Sequence, residues 1–153
     1  GYSDYLQMFD KNNMLGIGVN DENEPSKLKI DMYGISGKKA ERKASYTVKK
    51  ESDSDALYDS KALLADSEKN IIGIPVYEDN YSDEYYSEDV YYYLFKYENN
   101  RFKQLLRLKL GEQEYSDVRG FYIDNYLYVI DCSKAIWAVN MADYSVKGKI
   151  SIK

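Results

Sequence analysis

The amino-acid sequence predicts an all-β protein made of three four-stranded antiparallel units. Three observations predict this class: a hairpin pattern that occurs three times, alternation of polar and apolar residues with a period of two, and the near absence of helical spacing. Each hairpin has an apolar strand, a polar turn opened by an aspartate, and a second apolar strand. The turn aspartates Asp10, Asp66 and Asp124 are 56 and 58 residues apart, a spacing typical of a structural repeat.

The first unit covers residues 1–50 and begins with a hairpin over residues 7–18. The acidic segment 21–25 is predicted to be a loop. Residues 27–33 alternate polar and apolar side chains, which indicates a third strand. A turn that contains Gly37 then leads to a fourth strand over residues 42–48.

The second and third units repeat this order. The second unit, residues 51–112, has its hairpin over 62–75, a longer acidic loop over 77–89, and strands over 90–97 and 101–110. Residues 55–64 have the one spacing that could fit a helix, and we interpret them as a loop leading into a strand. The third unit, residues 113–153, has its hairpin over 120–130 and strands over 135–140 and 145–152.

Units of roughly 40 to 55 residues with four strands have the length of β-propeller blades. A propeller closes into a ring of typically four to eight blades, and closure protects its edges. Three blades would leave two end faces in water, which favours self-association through exposed blade edges. The sequence therefore predicts a partial β-propeller, expected to be a fragment of a larger propeller because the chain begins at a strand and ends within one. A ring completed by association and a different all-β arrangement are the alternatives.

Composition excludes several classes of function. The net charge of −5 argues against nucleic acid or an anionic membrane surface as a partner. No apolar run approaches the roughly 20 residues of a membrane-spanning helix. The absence of histidine removes the commonest general base and metal ligand, and the single Cys132 cannot form an internal disulfide or a cysteine-based zinc cluster. The 18 tyrosines favour β structure or, alternatively, an aromatic recognition surface.

Several segments resemble a known family. Residues 1–6 with Asp10 and 15–18, residues 54–62 and 69–76, and residues 119–130 are similar to secreted bacterial and archaeal proteins with a C-terminal β-propeller domain distantly related to WD repeats. The resemblance spans the chain, but its motifs are structural, so it implies an extracellular or cell-envelope location and no particular reaction. One residue departs from the family pattern. Histidine is expected at the position of Ser60, so any role of that histidine is absent from this protein.

A Ser-Asp pair precedes each predicted blade, at Ser3-Asp4, Ser54-Asp55 and Ser116-Asp117. In a propeller these connections lie near the mouth of the central channel, so Asp4, Asp55 and Asp117 are candidate ligands for a cation or a basic peptide. Asp59 and Arg119, close to these pairs in the sequence, complete this candidate set. The alternative is the ordinary use of Ser and Asp, which bond to the neighbouring backbone in turns.

No metal site or cofactor is predicted. Residues 51–59 contain several acids, but they lack the central glycine of a calcium-binding EF-hand loop and become apolar at Ala56-Leu57. The acidic loop over 77–89 is expected to be extended and mobile because its charges repel one another. Its residues Tyr81, Tyr85 and Tyr86 are candidate contacts for a cationic surface or polymer. A solvated loop without a partner is the alternative.

The predicted function is a non-enzymatic extracellular binding or scaffolding module, whose partner is another protein or a cell-envelope polymer. Recognition would use loops and channel-mouth residues on a rigid sheet scaffold. The alternative is part of an extracellular enzyme, such as a glycan-active hydrolase, whose site is completed by other parts of a longer protein. Two apposed buried carboxylates in a cleft would favour the enzyme.

Overall fold

The computed structural model describes residues 2–20, 26–112 and 117–152. Within these ranges the chain forms three antiparallel sheets, which we name blades 1, 2 and 3, and this confirms the predicted all-β class. Blade 1 contains β1 (Tyr2–Met8), β2 (Asn13–Asn20), β3 (Lys27–Ser36) and β4 (Lys39–Thr47). Blade 2 contains β5 (Ser52–Asp53), β6 (Leu64–Asp66), β7 (Ile71–Tyr81), β8 (Tyr86–Glu98) and β9 (Arg101–Glu112). Blade 3 contains β10 (Val118–Ile123), β11 (Tyr126–Asp131), β12 (Ala135–Asn140) and β13 (Val146–Ser151).

The strand order follows the sequence order in each blade. Blades 1 and 3 have the orders β1-β2-β3-β4 and β10-β11-β12-β13. Blade 2 differs at its first strand position, because β6 pairs with the start of β7 and β5 pairs with residues further along the same strand. Two short strands therefore occupy the place that β1 and β10 fill in the other blades.

The segment between β5 and β6 is not the plain loop that the sequence predicts. It forms two short 3₁₀ turns, Asp55–Leu57 and Ser60–Ala62. The Ser54 hydroxyl accepts a hydrogen bond from the Ala56 N–H, and the Asp59 carboxylate accepts one from the Lys61 N–H at 2.9 Å. These caps satisfy N–H groups at the start of each turn, while the apolar residues of both turns are buried in the core.

The prediction that residues 77–89 form a loop is wrong. The strands β7 and β8 stay paired up to Tyr81 and Tyr86, so only residues 82–85 form a turn. Three contacts offset the repulsion expected there: the Tyr81 and Tyr86 rings lie 5.3 Å apart, the Asp89 carboxylate lies 2.9 Å from a lysine ammonium, and Asn80 accepts a hydrogen bond from Lys50. The other predicted acidic loop, 21–25, lies outside the described residues.

The turn aspartates act largely as predicted. Asp10 accepts hydrogen bonds from the N–H groups of Asn12 and Asn13, and Asp66 accepts them from two residues of its own turn, as is usual for aspartate in turns. Asp124 instead adopts a left-handed backbone with φ of 52°. Aspartate tolerates that conformation better than most residues because its short polar side chain can bond locally.

Two apolar clusters lie between the blades. The first joins blades 1 and 2, and the second joins blades 2 and 3, so blade 2 is covered on both faces. Leu15, Ile17 and Ile30 of blade 1 are fully buried in the first cluster. Trp137 is a core residue of the second cluster, where Lys149 also lies over its ring.

Tyr92 of β8 sets how closely blades 2 and 3 approach. Its side chain is fully buried, and its hydroxyl lies where a Cβ atom would stand at either Gly73 or Gly120. The glycines therefore make room for the ring. This hydroxyl has no hydrogen-bond partner among the residues that the structure describes.

Each end of the stack exposes an apolar face. On blade 3, Phe121, Ile123 and Ile150 point away from blade 2 and are 39%, 56% and 69% exposed. On blade 1, Leu6 and Met8 are exposed on the face opposite the first cluster. Nowhere in the described ranges is there a helix of the length and apolar character needed to cross a membrane.

Candidate functional site

Half of the predicted site residues belong to one group of carboxylates and its neighbours. We name this group the acidic rim and define it as Asp4, Asp53, Asp55, Asp79 and Glu88. These residues come from β1, β5, the first 3₁₀ turn, β7 and β8. The charges of Asp4, Asp55 and Asp79 all act on Asp53. The rim thus combines a strand of blade 1 with four segments of blade 2.

The two 3₁₀ turns fix the part of the rim that lies on blade 2. The Ser54 hydroxyl donates a hydrogen bond of 2.5 Å to the carbonyl of Pro75, which ties the first turn to β7. Asp55 accepts a hydrogen bond of 2.6 Å from the Tyr77 hydroxyl. Ser54 therefore has the structural role that was the alternative for the Ser-Asp pairs, whereas Asp55 also contributes charge to the rim.

Arg119 connects blades 2 and 3 beside the rim. Its guanidinium lies 2.7 Å from an oxygen of Asp59 and 2.6 Å from an oxygen of Asp117. Both acids are thereby paired with one guanidinium, and Asp59 also caps its own turn. These three residues form a clasp between blades. Ser116, the partner of Asp117 in the sequence pattern, lies outside the described residues.

The end of the β7–β8 hairpin forms the other side of the rim. The Tyr86 hydroxyl donates a hydrogen bond of 2.9 Å to Asp79, and the Tyr81 ring packs beside the Tyr86 ring. Tyr85 is exposed and takes part in the turn only through its backbone, which bonds to Ser82. The structure thus joins Tyr81 and Tyr86 to the rim, while the Tyr85 side chain has no contact with it.

A cavity of about 250 Å³ opens at the rim. The lining includes three carboxylates, from Glu51, Asp53 and Asp79, and the largely exposed ring of Tyr58. No lysine or arginine is among the described residues that line it. The cavity is therefore suited to a positively charged group, and Tyr58 offers an aromatic face that such a group can approach.

Burial and crowding raise the pKa of two rim carboxylates, Asp53 and Glu88. The pKa of Asp53 is raised by the loss of solvent around its carboxylate and then by the charges of Asp55, Asp79 and Asp4, although part of the side chain stays exposed. Loss of solvent and neighbouring acids likewise raise the pKa of Glu88. The pKa of the Tyr58 hydroxyl is raised chiefly by the charge of Asp53. The carboxylates of the rim repel one another, and a bound cation would reduce this repulsion.

Sequence reasoning found only part of this site. Asp4, Asp55, Tyr81 and Tyr86 belong to it, whereas Asp59, Asp117 and Arg119 form the clasp beside it. Four contributors were not among the predicted site residues: Asp53, Asp79, Glu88 and Tyr58. Asp53 and Tyr58 lie in the acidic run 51–59, and Asp79 and Glu88 lie in the acidic segment 77–89, so both segments were usable signals. No group of three or more described residues is arranged to hold a metal ion.

Comparison with known proteins shows which family of domains the chain matches. The family described as beta propeller domain matches residues 1–144. An uncharacterized protein of Archaeoglobus fulgidus is 28% identical over 130 residues, which are 85% of this chain and 17% of that protein. An uncharacterized protein of Methanocaldococcus jannaschii is 29% identical over 134 residues, which are 88% of this chain and 19% of that protein. The chain thus spans less than a fifth of the length of these relatives.

The family match and the three consecutive antiparallel sheets agree with one another. The chain belongs to the β-propeller domain family.

Proposed function

We propose that this chain is a non-enzymatic binding module that recognises a cationic group, such as a lysine side chain of another protein, at the acidic rim. The observation that carries the proposal is the rim cavity, whose described lining has three carboxylates and an exposed tyrosine but no cation. Arg119, in the clasp beside the rim, is already engaged by Asp59 and Asp117. A ligand must therefore supply the missing positive charge.

The scaffold suits recognition. The rim side chains project from strands and capped turns whose apolar neighbours, such as Ala56 and Leu57, are buried. A rigid site loses little conformational entropy when a ligand binds. The raised pKa of Asp53 also means that a bound cation would stabilise the charged carboxylate.

The buried acids that face each other across β7 and β8 do not fit glycoside hydrolysis. Glu78 and Asp89 do stand opposite each other on β7 and β8, which is the apposition that would favour an enzyme. Both acids are paired with cations. Arg107 Nη2 lies 2.6 Å from Glu78 Oε2, and Lys109 Nζ lies 2.9 Å from Asp89 Oδ1. Burial alone would raise the pKa of Asp89, but hydrogen bonds from Lys109 and Asn80 lower it. A general acid in glycoside hydrolysis needs a raised pKa instead.

The extracellular or cell-envelope location forms part of the same proposal and rests on the family resemblance alone. In that setting a cationic segment of a neighbouring protein or a cell-envelope polymer would be the partner. An acidic module attracts such partners over a distance of about 10 Å at moderate salt, so binding should weaken as salt rises.

The test measures binding of a short fluorescent oligolysine peptide to the chain by fluorescence anisotropy. We expect saturable binding at low salt, and we expect Asp53→Asn with Asp79→Asn to weaken it about tenfold or more, or about 1.4 kcal/mol. The control is Asp143→Asn on blade 3, an exposed acid that bonds to Ser145 and lies outside the rim. Equal weakening by the control and the rim variant would show general charge attraction and contradict the proposal.

A second experiment adds calcium to the peptide-bound chain. Calcium would compete with the peptide for the rim carboxylates only if the rim were a metal site. Calcium should leave peptide binding unchanged at constant ionic strength. A calcium-dependent rise in melting temperature that disappears in the rim variant would replace the proposal with a metal site.

A further inference from the structure

A second cleft, of opposite charge, lies between blades 1 and 2. It has a volume of about 270 Å³, and its lining comes from β4, from the connection that follows β4, and from β7, β8 and β9. The lining residues are Tyr46, Lys49, Lys50, Glu78, Tyr93, Gln104 and Arg107. They carry three positive charges and one negative charge, on a chain whose net charge is −5.

A fixed network forms the floor of this cleft. The Arg107 guanidinium donates to Glu78 through Nε at 3.2 Å and Nη2 at 2.6 Å, and Nε also lies 3.0 Å from the Tyr93 hydroxyl. Tyr93 in turn donates to Glu78. The guanidinium stacks over the Tyr91 ring, with its Cζ 3.8 Å from the ring centre. The single negative charge is therefore neutralised before any ligand arrives.

The other polar groups of the cleft include three donors that the described part of the chain leaves without a side-chain partner. Lys49, Gln104 and the Tyr46 hydroxyl form no side-chain hydrogen bond within the described ranges, and Lys50 donates only to Asn80, at 2.6 Å. Blade 1 supplies the Tyr46 hydroxyl, blade 2 supplies Gln104, and the crossing chain supplies both lysines. Donors that converge from several sides, two of them lysine ammonium groups that cannot accept a hydrogen bond, are suited to an oxyanion.

The pairing of Arg107 with Glu78 limits which oxyanion the cleft can bind. A planar carboxylate is recognised best by the two-donor fork of an arginine, and Glu78 already takes the Nε and Nη2 fork of Arg107. The remaining cations are lysines, which bind phosphate-type groups as point charges. We propose that this cleft, independently of the acidic rim, binds a tetrahedral oxyanion, sulfate or phosphate, between Lys49 and Gln104.

The test titrates sodium sulfate and sodium phosphate into the isotopically labelled chain at constant ionic strength, with sodium chloride as the reference. We expect saturable shifts of the Gln104 side-chain amide signals in heteronuclear NMR spectra. Lys49→Ala with Lys50→Ala should weaken the affinity at least tenfold. Both lysines are exposed, so the double variant should keep the backbone spectrum of the parent chain.

The control variant is Lys38→Ala with Lys39→Ala, a second pair of exposed adjacent lysines, at the β3–β4 turn. It should bind both anions as the parent does. Sulfate also stabilises proteins without a site, by exclusion from the surface. Equal effects on both lysine variants, or shifts that avoid Gln104, would overturn the proposal.

A free anion and a sugar-linked group are distinguished by two further probes. Glucose 6-phosphate and glucose 6-sulfate are compared with glucose and with the inorganic anions. Tighter binding of the sugar esters indicates a glycan-linked group, and equal binding indicates the free anion. Glucose binding as tightly as its esters would overturn the proposal.

Discussion

Tyr92 and Gly120 show at the scale of single residues how the blades are held together. The Tyr92 ring fills the space that a side chain at Gly120 would need, yet its buried hydroxyl has no partner in the described part of the chain. Packing against blade 3 and burial of a polar atom therefore act in opposite directions at the same residue. Two substitutions separate the effect of ring packing from the effect of the buried hydroxyl.

Tyr92→Phe removes the unpaired hydroxyl and keeps the ring. Loss of an unsatisfied buried polar group should leave the free energy of unfolding unchanged or raise it by about 1 kcal/mol. Urea unfolding followed by circular dichroism measures this. A loss above about 1 kcal/mol would mean that the hydroxyl has a partner that stabilises the fold.

Gly120→Ala should destabilise the chain because the new Cβ overlaps the Tyr92 hydroxyl. Forced overpacking of this kind costs about 1–3 kcal/mol. Gly148→Ala on β13 is the matched control, because a Cβ there meets no atom within 4 Å. Equal unfolding midpoints for the two variants would contradict the tight approach of blades 2 and 3.

At the scale of elements, the acidic rim should make part of the stability depend on pH. The pKa of Asp53 is higher in the folded chain than its ordinary value, so the folded state holds this proton more tightly than the unfolded state. Stability from this group is present at low pH and is lost as pH rises from 3.8 through the raised folded pKa. Asp53→Asn should therefore raise the melting temperature at pH 7 and change it little at pH 3.

The control for this prediction is Asp143→Asn, where hydrogen bonds from Ser145 lower the pKa of the carboxylate. Its effect should have the opposite sign, with a small loss of stability at pH 7. Thermal unfolding at both pH values compares the variants. A lower melting temperature for Asp53→Asn at pH 7 would show that Asp53 stabilises the folded chain.

The elements also show what could be learned from the sequence. Asp10 and Asp66 were predictable because each bonds to its own turn within three residues. The extension of β7 and β8 was not, because pairing across a hairpin and a lysine on β9 decide whether those acids form a strand. The rim itself depends on Asp4 and Asp53 approaching from different blades, which no local pattern of residues encodes.

At the scale of the whole molecule, the exposed apolar residues on the two end faces predict that the chain self-associates. Blade 3 presents Phe121, Ile123 and Ile150 to solvent, and blade 1 presents Leu6 and Met8. Blade 1 also buries the ion pair of Lys29 and Asp31 on its end face, and one Asp31 oxygen has no partner within the described ranges. Faces of this composition are usually covered by another surface.

We expect the chain to self-associate in a concentration-dependent manner, which size-exclusion chromatography with light scattering measures. Ile123→Ser with Ile150→Ser should shift the population toward the monomer without changing the circular dichroism spectrum, because both side chains are more than half exposed. Tyr85→Ser, at an exposed tyrosine away from both end faces, is the control. A parent chain that stays monomeric at high concentration would contradict this prediction.

The central place of blade 2 has a consequence for how the molecule can come apart. Blades 1 and 3 each bury one face, so either can detach and leave one apolar cluster intact. Blade 2 contributes to both clusters, so separation of its strands would expose both apolar clusters to solvent. Partial unfolding must therefore begin at an outer blade, and the outermost strand β13, exposed along its whole length, is the natural first strand to leave.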